Sequence, residues 1–293
     1  MAEARFGKLV VAGVGMIGGS LARALRKAGC VGEIVGVGRS AETLTKAARL
    51  GVIDRAESKW GGALAGADAV VLAAPVNAII QILTDPAFAA ALPAGAVVTD
   101  AGSVKLNIVN AARAGLGGKF SRFVAAHPIA GAERSGVAAA DENLFHGAAV
   151  VLAPESGVDD DALAAVNALW ESAGARIAVM DAGRHDRILA AASHLPHMLA
   201  YALSAQLAAS EQRDEIFACA AGGLRDFTRV ASSDPEMWRD IFLNNRESLL
   251  AWAGGFVDSI QKISELVEQG DGEALRELFL QVKNTRDKFV AGR

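Results

Sequence analysis

Near the start of the chain, Gly13-Val14-Gly15-Met16-Ile17-Gly18 sets three glycines at GxGxxG spacing. The motif follows an apolar, strand-like run at residues 8–12 and opens a stretch of helical period over residues 17–28. That context gives each glycine a task. Gly13 allows the tight turn, Gly15 lets the backbone approach a pyrophosphate, and Gly18 lets helix and strand pack closely. The first helical residues, Met16 and Ile17, then offer free N–H groups and the positive end of the helix dipole to phosphates. A glycine-rich structural turn is the plain alternative.

If this cradle holds NAD, the next strand should end in a carboxylate for the ribose 2′-hydroxyl. Residues 33–37 end instead in Gly38-Arg39-Ser40, and Glu33 comes at the strand's start. A guanidinium and a hydroxyl there suit the 2′-phosphate of NADP. A solvated Arg39 with a tolerant NAD site is the other reading.

Short β-branched runs at 8–12, 33–37, 69–73, 96–99, 122–126, 148–152 and 176–179 alternate with helical stretches such as 17–28 and 41–50. The pattern predicts an α/β domain with a doubly wound, mainly parallel sheet of Rossmann type. Beyond Asp181 strand character vanishes, and helical period dominates residues 185–210, 211–220, 237–269 and 273–290. The expected division is a dinucleotide-binding domain at 1–181 and an all-helical substrate and dimerisation domain at 182–293. Broad apolar faces in the second half point to a homodimer. A net charge of −4 argues against nucleic acid as a partner. Only Cys30 and Cys219 are present, which suits a reducing, cytoplasmic setting, and no apolar run suggests a membrane span. The chain stops soon after its last helical pattern, so a further domain of usual size is not expected.

Five further segments carry chemistry. Ala73-Ala74-Pro75 and Asp100-Ala101-Gly102-Ser103-Val104-Lys105 end strands where open α/β sheets bind ligands, so Pro75 and Ser103 are candidate cofactor contacts. On sequence alone Ser103 reads more readily as a helix cap than as a partner of a catalytic group. His127-Pro128-Ile129-Ala130-Gly131-Ala132-Glu133 follows a buried strand, His194-Leu195-Pro196-His197 lies in a helix, and Asp226-Phe227-Thr228-Arg229 comes later. Taken in order with the fingerprint and Gly102-Ser103-Val104-Lys105, these motifs resemble the prephenate/arogenate (cyclohexadienyl) dehydrogenase family over nearly the whole chain.

The resemblance implies oxidative decarboxylation of prephenate to 4-hydroxyphenylpyruvate, or of arogenate to tyrosine, with a hydride passing to NAD or NADP. It implies that His127 takes the proton of the ring C4 hydroxyl, with Ser103 as its hydrogen-bond partner near the nicotinamide. Arg229 would clamp the ring carboxylate and His197 would contact the substrate side chain. Glu133 and Asp226 would pair with arginine around the pocket mouth. Ala132 departs from the family pattern, which can place a side-chain-contacting hydroxyl there.

Plainer readings stand beside these. His194 and His197 lack a third ligand, so no metal is expected, and His194 reads as a packing histidine. His146 and His185 read as solvated or capping, and Trp238 and Trp252 as core. A β-hydroxyacid dehydrogenase is the alternative enzyme, although residues 185–210 lack the lysine that family carries on this helix. A catalytically silent dinucleotide-binding protein is the alternative outside enzymes.

Overall fold

A computed structural model describes residues 5–131 and 135–291. Eight strands, β1 (Phe6–Ala12), β2 (Val31–Val37), β3 (Arg55–Glu57), β4 (Ala69–Leu72), β5 (Val97–Asp100), β6 (Phe123–Pro128), β7 (Ala149–Ala153) and β8 (Arg176–Val179), form one sheet. Their order is β3-β2-β1-β4-β5-β6-β7-β8. Every neighbouring pair is parallel except β6 with β7. The carboxyl ends of β1, β4, β5 and β6 therefore lie side by side along one edge. The chain's direction across the sheet reverses between β1 and β4, where such folds open a crevice for ligands.

Alternation along the strands divides the core into two layers. Val10, Val70, Val98 and Ala125 belong to one cluster, whereas Leu9, Val71, Val97 and Val124 belong to the other. The first layer is covered by helices that include Val76–Leu83, Leu106–Leu116, Ala182–Leu189 and Pro235–Asn244. The second lies under Met16–Lys27, Ala41–Arg49 and Asp160–Ser172, with Trp170 fully buried.

The change from strands to helices falls after Val179, yet compactness divides the chain elsewhere. One unit spans Met1–Asn245 and the other Arg246–Arg293. Ala182, Trp238 and Ile241 are buried in the same cluster as the sheet residues, so the helices up to Asn244 complete the sheet's own core. In the second unit, helices Arg246–Glu268 and Gly272–Ala291 contact each other and leave Val257, Ile260, Phe279, Val282 and Phe289 exposed. Trp252, expected in a core, is half exposed. No described helix is long and apolar enough to cross a membrane.

Three differences from the expected elements have local causes. Strand β3 is a three-residue edge strand containing Arg55 and Glu57, too short and charged to show period-2 alternation. The pattern at 237–269 is two helices, Pro235–Asn244 and Arg246–Glu268, because Asn245 leaves helical geometry at φ −119° and ψ 33°. Its buried amide hydrogen-bonds Asp186 O at 2.8 Å and His194 Nδ1 at 3.1 Å. The 185–210 pattern contains a π-helical turn at Ala190–His194, just before Pro196. Proline cannot donate to the carbonyl four residues back, and the ladder widens there.

Where Leu106–Leu116 crosses Val76–Leu83, a Cβ built on Gly115 would lie 1.9 Å from the Leu83 carbonyl oxygen. Gly115→Ala should therefore destabilise the fold by about 1–3 kcal/mol, since the two backbones must separate. The control is Gly61→Ala, because a Cβ there meets nothing within 4 Å. Thermal unfolding of the two variants should show a lowered Tm only for Gly115→Ala.

Candidate active site

At the sheet edge, the fingerprint glycines have distinct environments. Gly13 sits at φ +96°, and a Cβ there would strike the Ala73 carbonyl oxygen at 2.3 Å. A Cβ on Gly18 would lie 2.2 Å from Gly13 O, whereas one on Gly15 would meet nothing within 4 Å. Two glycines are thus required by the protein's own packing, and the middle one faces open space. Helix Met16–Lys27 begins there without a side-chain cap, so its first N–H groups remain available. This cradle fits a dinucleotide pyrophosphate.

The strand-end side chains are divided in use. Ser40 Oγ accepts the Thr43 amide at 3.1 Å and caps helix Ala41–Arg49. Arg39 is exposed and makes no hydrogen bond or ion pair with the described residues. Glu33 is held by Arg55 at 2.7 Å. A Cβ at Gly38 would approach only Leu44, at 3.6 Å, so the turn has room for a side chain. Pro75 is exposed at the start of helix Val76–Leu83.

Buried charged and polar contacts concentrate where β5 and β6 end. Lys105 and Asp100 form an ion pair whose side chains are both 0% exposed. Asp100 also accepts the amides of Gly102 (2.8 Å) and Ala126 (3.0 Å), and Lys105 Nζ donates to Ala126 O at 2.6 Å. Burial pushes the Lys105 ammonium below its usual range against the pull of Asp100. The pair ties the two strand ends together immediately before His127.

His127 shares a sheet face with Ala125, toward helix Ala182–Leu189. Its Nδ1 lies 2.8 Å from Nε2 of His185, which is fully buried. His185 Nδ1 lies 2.8 Å from Asp186 Oδ1. The Asp186 carboxylate in turn accepts the amides of Lys105 (2.7 Å) and Leu106 (2.9 Å), capping helix Leu106–Leu116 from outside its own chain segment. Burial, reinforced by the neighbouring His185, Lys105 and His194, pushes the His127 imidazole well below its usual value of 6.5. It is therefore neutral at ordinary pH.

His185 is thus neither solvated nor simply a cap. Its role rests on a partner 58 residues earlier, and the only hint in the sequence is the adjacent base and acid, His185-Asp186. The half-buried Ser103, expected either to hydrogen-bond His127 or to cap a helix, does neither among the described residues; Lys105 occupies the cap position.

On the following helix, His197 Nδ1 donates to Ser193 O at 2.9 Å, which leaves Nε2 as an acceptor in the neutral ring. Trp238 stacks on it, with ring centroids 3.5 Å apart. Trp238 is therefore both core and a wall for His197. Burial lowers the His197 pKa, and the nearby Arg229 charge adds to this. His194 is buried against Asn245 and Trp238, as a packing histidine should be, and burial takes it down to about 4. Arg229 opens the short turn Arg229–Ser232, and Asp226 is exposed in the preceding helix, Gly222–Thr228. Ala132 and Glu133 lie outside the described residues. Among those described, no group of three or more His, Cys, Asp or Glu could hold a metal ion.

Residues 21–179 match the family model for the prephenate dehydrogenase nucleotide-binding domain, and residues 181–281 match that for the prephenate dehydrogenase dimerization domain. The prephenate dehydrogenase of Bacillus subtilis is 36% identical over 95% of this chain and 75% of its own length. The cyclohexadienyl dehydrogenase of Zymomonas mobilis is 34% identical over 96% and 95%. The crystal structure of prephenate dehydrogenase from Aquifex aeolicus, in complex with hydroxyphenyl propionate and NAD+, superposes with a TM-score of 0.90 at 37% identity, covering 97% of this chain and 98% of that one. Synechocystis arogenate dehydrogenase gives a TM-score of 0.80 at 30% identity, with 96% and 99% covered. The chain belongs to the prephenate dehydrogenase family, and it is an NAD(P)-dependent oxidoreductase catalysing oxidative decarboxylation in tyrosine biosynthesis.

Proposed function

We propose that the substrate is prephenate, arogenate or both, and that His127 is the base which removes the C4 hydroxyl proton. The observation that carries this reading is the position of His127. It stands at the carboxyl end of β6, on the same sheet edge as the glycine cradle after β1, and it is held neutral. Bound NAD(P)+ supplies the hydride acceptor, and aromatisation of the ring drives loss of CO2. The protein's own task is to orient the ring and take one proton.

Arg229 is assigned to the ring carboxylate, with its planar fork of donors matched to two oxygens. His197 is assigned to the substrate side chain, and Asp226 and Glu133 to arginine pairing at the pocket mouth. Ser103 is assigned to the nicotinamide side of the site, with Gly13, Gly15, Met16, Ile17, Gly18 and Pro75 lining the cofactor. The acceptor at His197 Nε2 suits the ammonium of arogenate better than the keto oxygen of prephenate, which favours arogenate where His197 is neutral. Functionally, the cofactor half is 1–181 and the substrate and dimerisation half is 182–293. A homodimer is supported by the dimerization-domain match and by the exposed apolar side chains of the last two helices. A cytoplasmic setting suits the two free thiols, Cys30 and Cys219.

NADP is proposed as the mildly preferred cofactor, with NAD also used. The support is the exposed, uncommitted Arg39 and the lack of a carboxylate at this strand end. The defining assay is kcat/KM for prephenate and for arogenate, each with NAD and with NADP, followed by absorbance of the reduced nicotinamide. Turnover of neither acid would defeat the reading.

Four outcomes are expected. His127→Asn should cut kcat by ~10²–10⁴ with cofactor binding intact. In the parent, the base must be unprotonated, so the acid limb of kcat should fall well below pH 6.5; a limb at or above that value would contradict the burial argument. Arg229→Ala loses a charge-assisted contact of about 1.5–3 kcal/mol and should raise substrate KM tenfold or more, leaving cofactor KM little changed. Arg39→Ala should weaken NADP by roughly tenfold while sparing NAD. Equal effects on both cofactors would remove Arg39 from the 2′-phosphate.

A further inference from the structure

We infer that His185 and Asp186 act as positioning residues for His127, fixing the tautomer in which Nε2 is the free base and giving the abstracted proton's charge a place beside a carboxylate. The inference rests on His127 being the base. Asp186 receives two backbone N–H groups at the start of helix Leu106–Leu116. A carboxylate can only accept hydrogen bonds, and both of its oxygens here receive a backbone N–H.

His185 Nδ1, 2.8 Å from Asp186 Oδ1, must therefore carry a hydrogen. In the neutral ring that leaves a lone pair on His185 Nε2, which faces His127 Nδ1 at 2.8 Å. His127 then donates from Nδ1, and its Nε2 is bare. Reversing the direction requires a charged His185 in the resting enzyme, with His127 protonated at Nε2 and useless as a base.

Atoms and charge balance through one transfer. The substrate O–H bond breaks, its electron pair stays on oxygen, and a new N–H bond forms at His127 Nε2. The Nδ1 hydrogen of His127 then moves to His185 Nε2, so the positive charge rests on a ring hydrogen-bonded to Asp186. His127 returns to neutrality with its proton on Nε2. Charge on His127 itself would lie near the Lys105 ammonium in a buried site, whereas charge on His185 is matched by a carboxylate.

The chain has five histidines, so their ring nitrogens can be assigned by substitution. Nitrogen-15 NMR of the histidine-labelled full chain at neutral pH should show His127 and His185 both protonated at Nδ1 and bare at Nε2. This measurement needs no turnover, so it separates a failure of the relay from a failure of the proposed reaction. A bare Nδ1 on His127 would overturn the inference.

Kinetics supply the second arm. His185→Leu removes the acceptor and should lower kcat by roughly 10²-fold with substrate and cofactor KM within about twofold. His185→Gln can accept the Nδ1 hydrogen through Oε1, which restores the tautomer but not the second transfer, and should recover about tenfold of that loss. Equal kcat in both variants, or kcat unchanged from the parent in His185→Leu, would also overturn it. If neither variant folds, the tautomer spectrum of the parent decides.

Discussion

The buried Lys105–Asp100 pair fixes the loop after β5 against β6, immediately before His127. Two full charges without solvent need hydrogen bonds beyond each other, and here both find them on the backbone. Asp100 gathers the amides of Gly102 and Ala126, and Lys105 reaches the Ala126 carbonyl. Removing either partner would strand a charge in the core, at a typical cost of about 3–5 kcal/mol. The loop after β5 and the last turn of β6 are consequently locked to each other, and His127 inherits its position from that lock.

The same lysine also shapes the electrostatics. Its backbone amide binds Asp186, while its ammonium adds to the positive field that keeps His127 neutral. A base must be unprotonated and still find somewhere to leave positive charge once it has worked. Burial achieves the first condition, and a carboxylate one ring away offers the second. In the proposed mechanism these two requirements, which conflict at a single side chain, are distributed over His127 and His185.

Much of this is legible in the sequence because it depends on local spacing. The GxGxxG glycines, the strand ends and the switch to helical period are all repeated over a few residues, and each maps to a conformation only certain side chains allow. Gly13 and Gly18 are forced by neighbouring backbone, and that necessity is visible in the motif itself. Strand β3 is not legible, because three edge residues with charged ends carry no periodicity. The break at Asn245 is hidden because no glycine or proline marks it; its cause is a pair of tertiary hydrogen bonds to Asp186 and His194. His185 is opaque for a related reason. A histidine beside an aspartate on a helix looks like a cap until the strand 58 residues away is placed against it.

The Asp186 cap has a mechanical meaning as well. Segment 182–194 is tied down by two backbone amides hydrogen-bonded to the Asp186 carboxylate, the part-buried contact of His127 with His185, and the Asn245 amide. A hinge at residue 181 would have to uncap a helix and pull the His127 and His185 rings apart in the core at every opening. The point at which the chain changes from strands to helices is therefore a seam in composition but not in motion. Helix Ala182–Leu189 is thus clamped to the sheet rather than joined to it by a hinge.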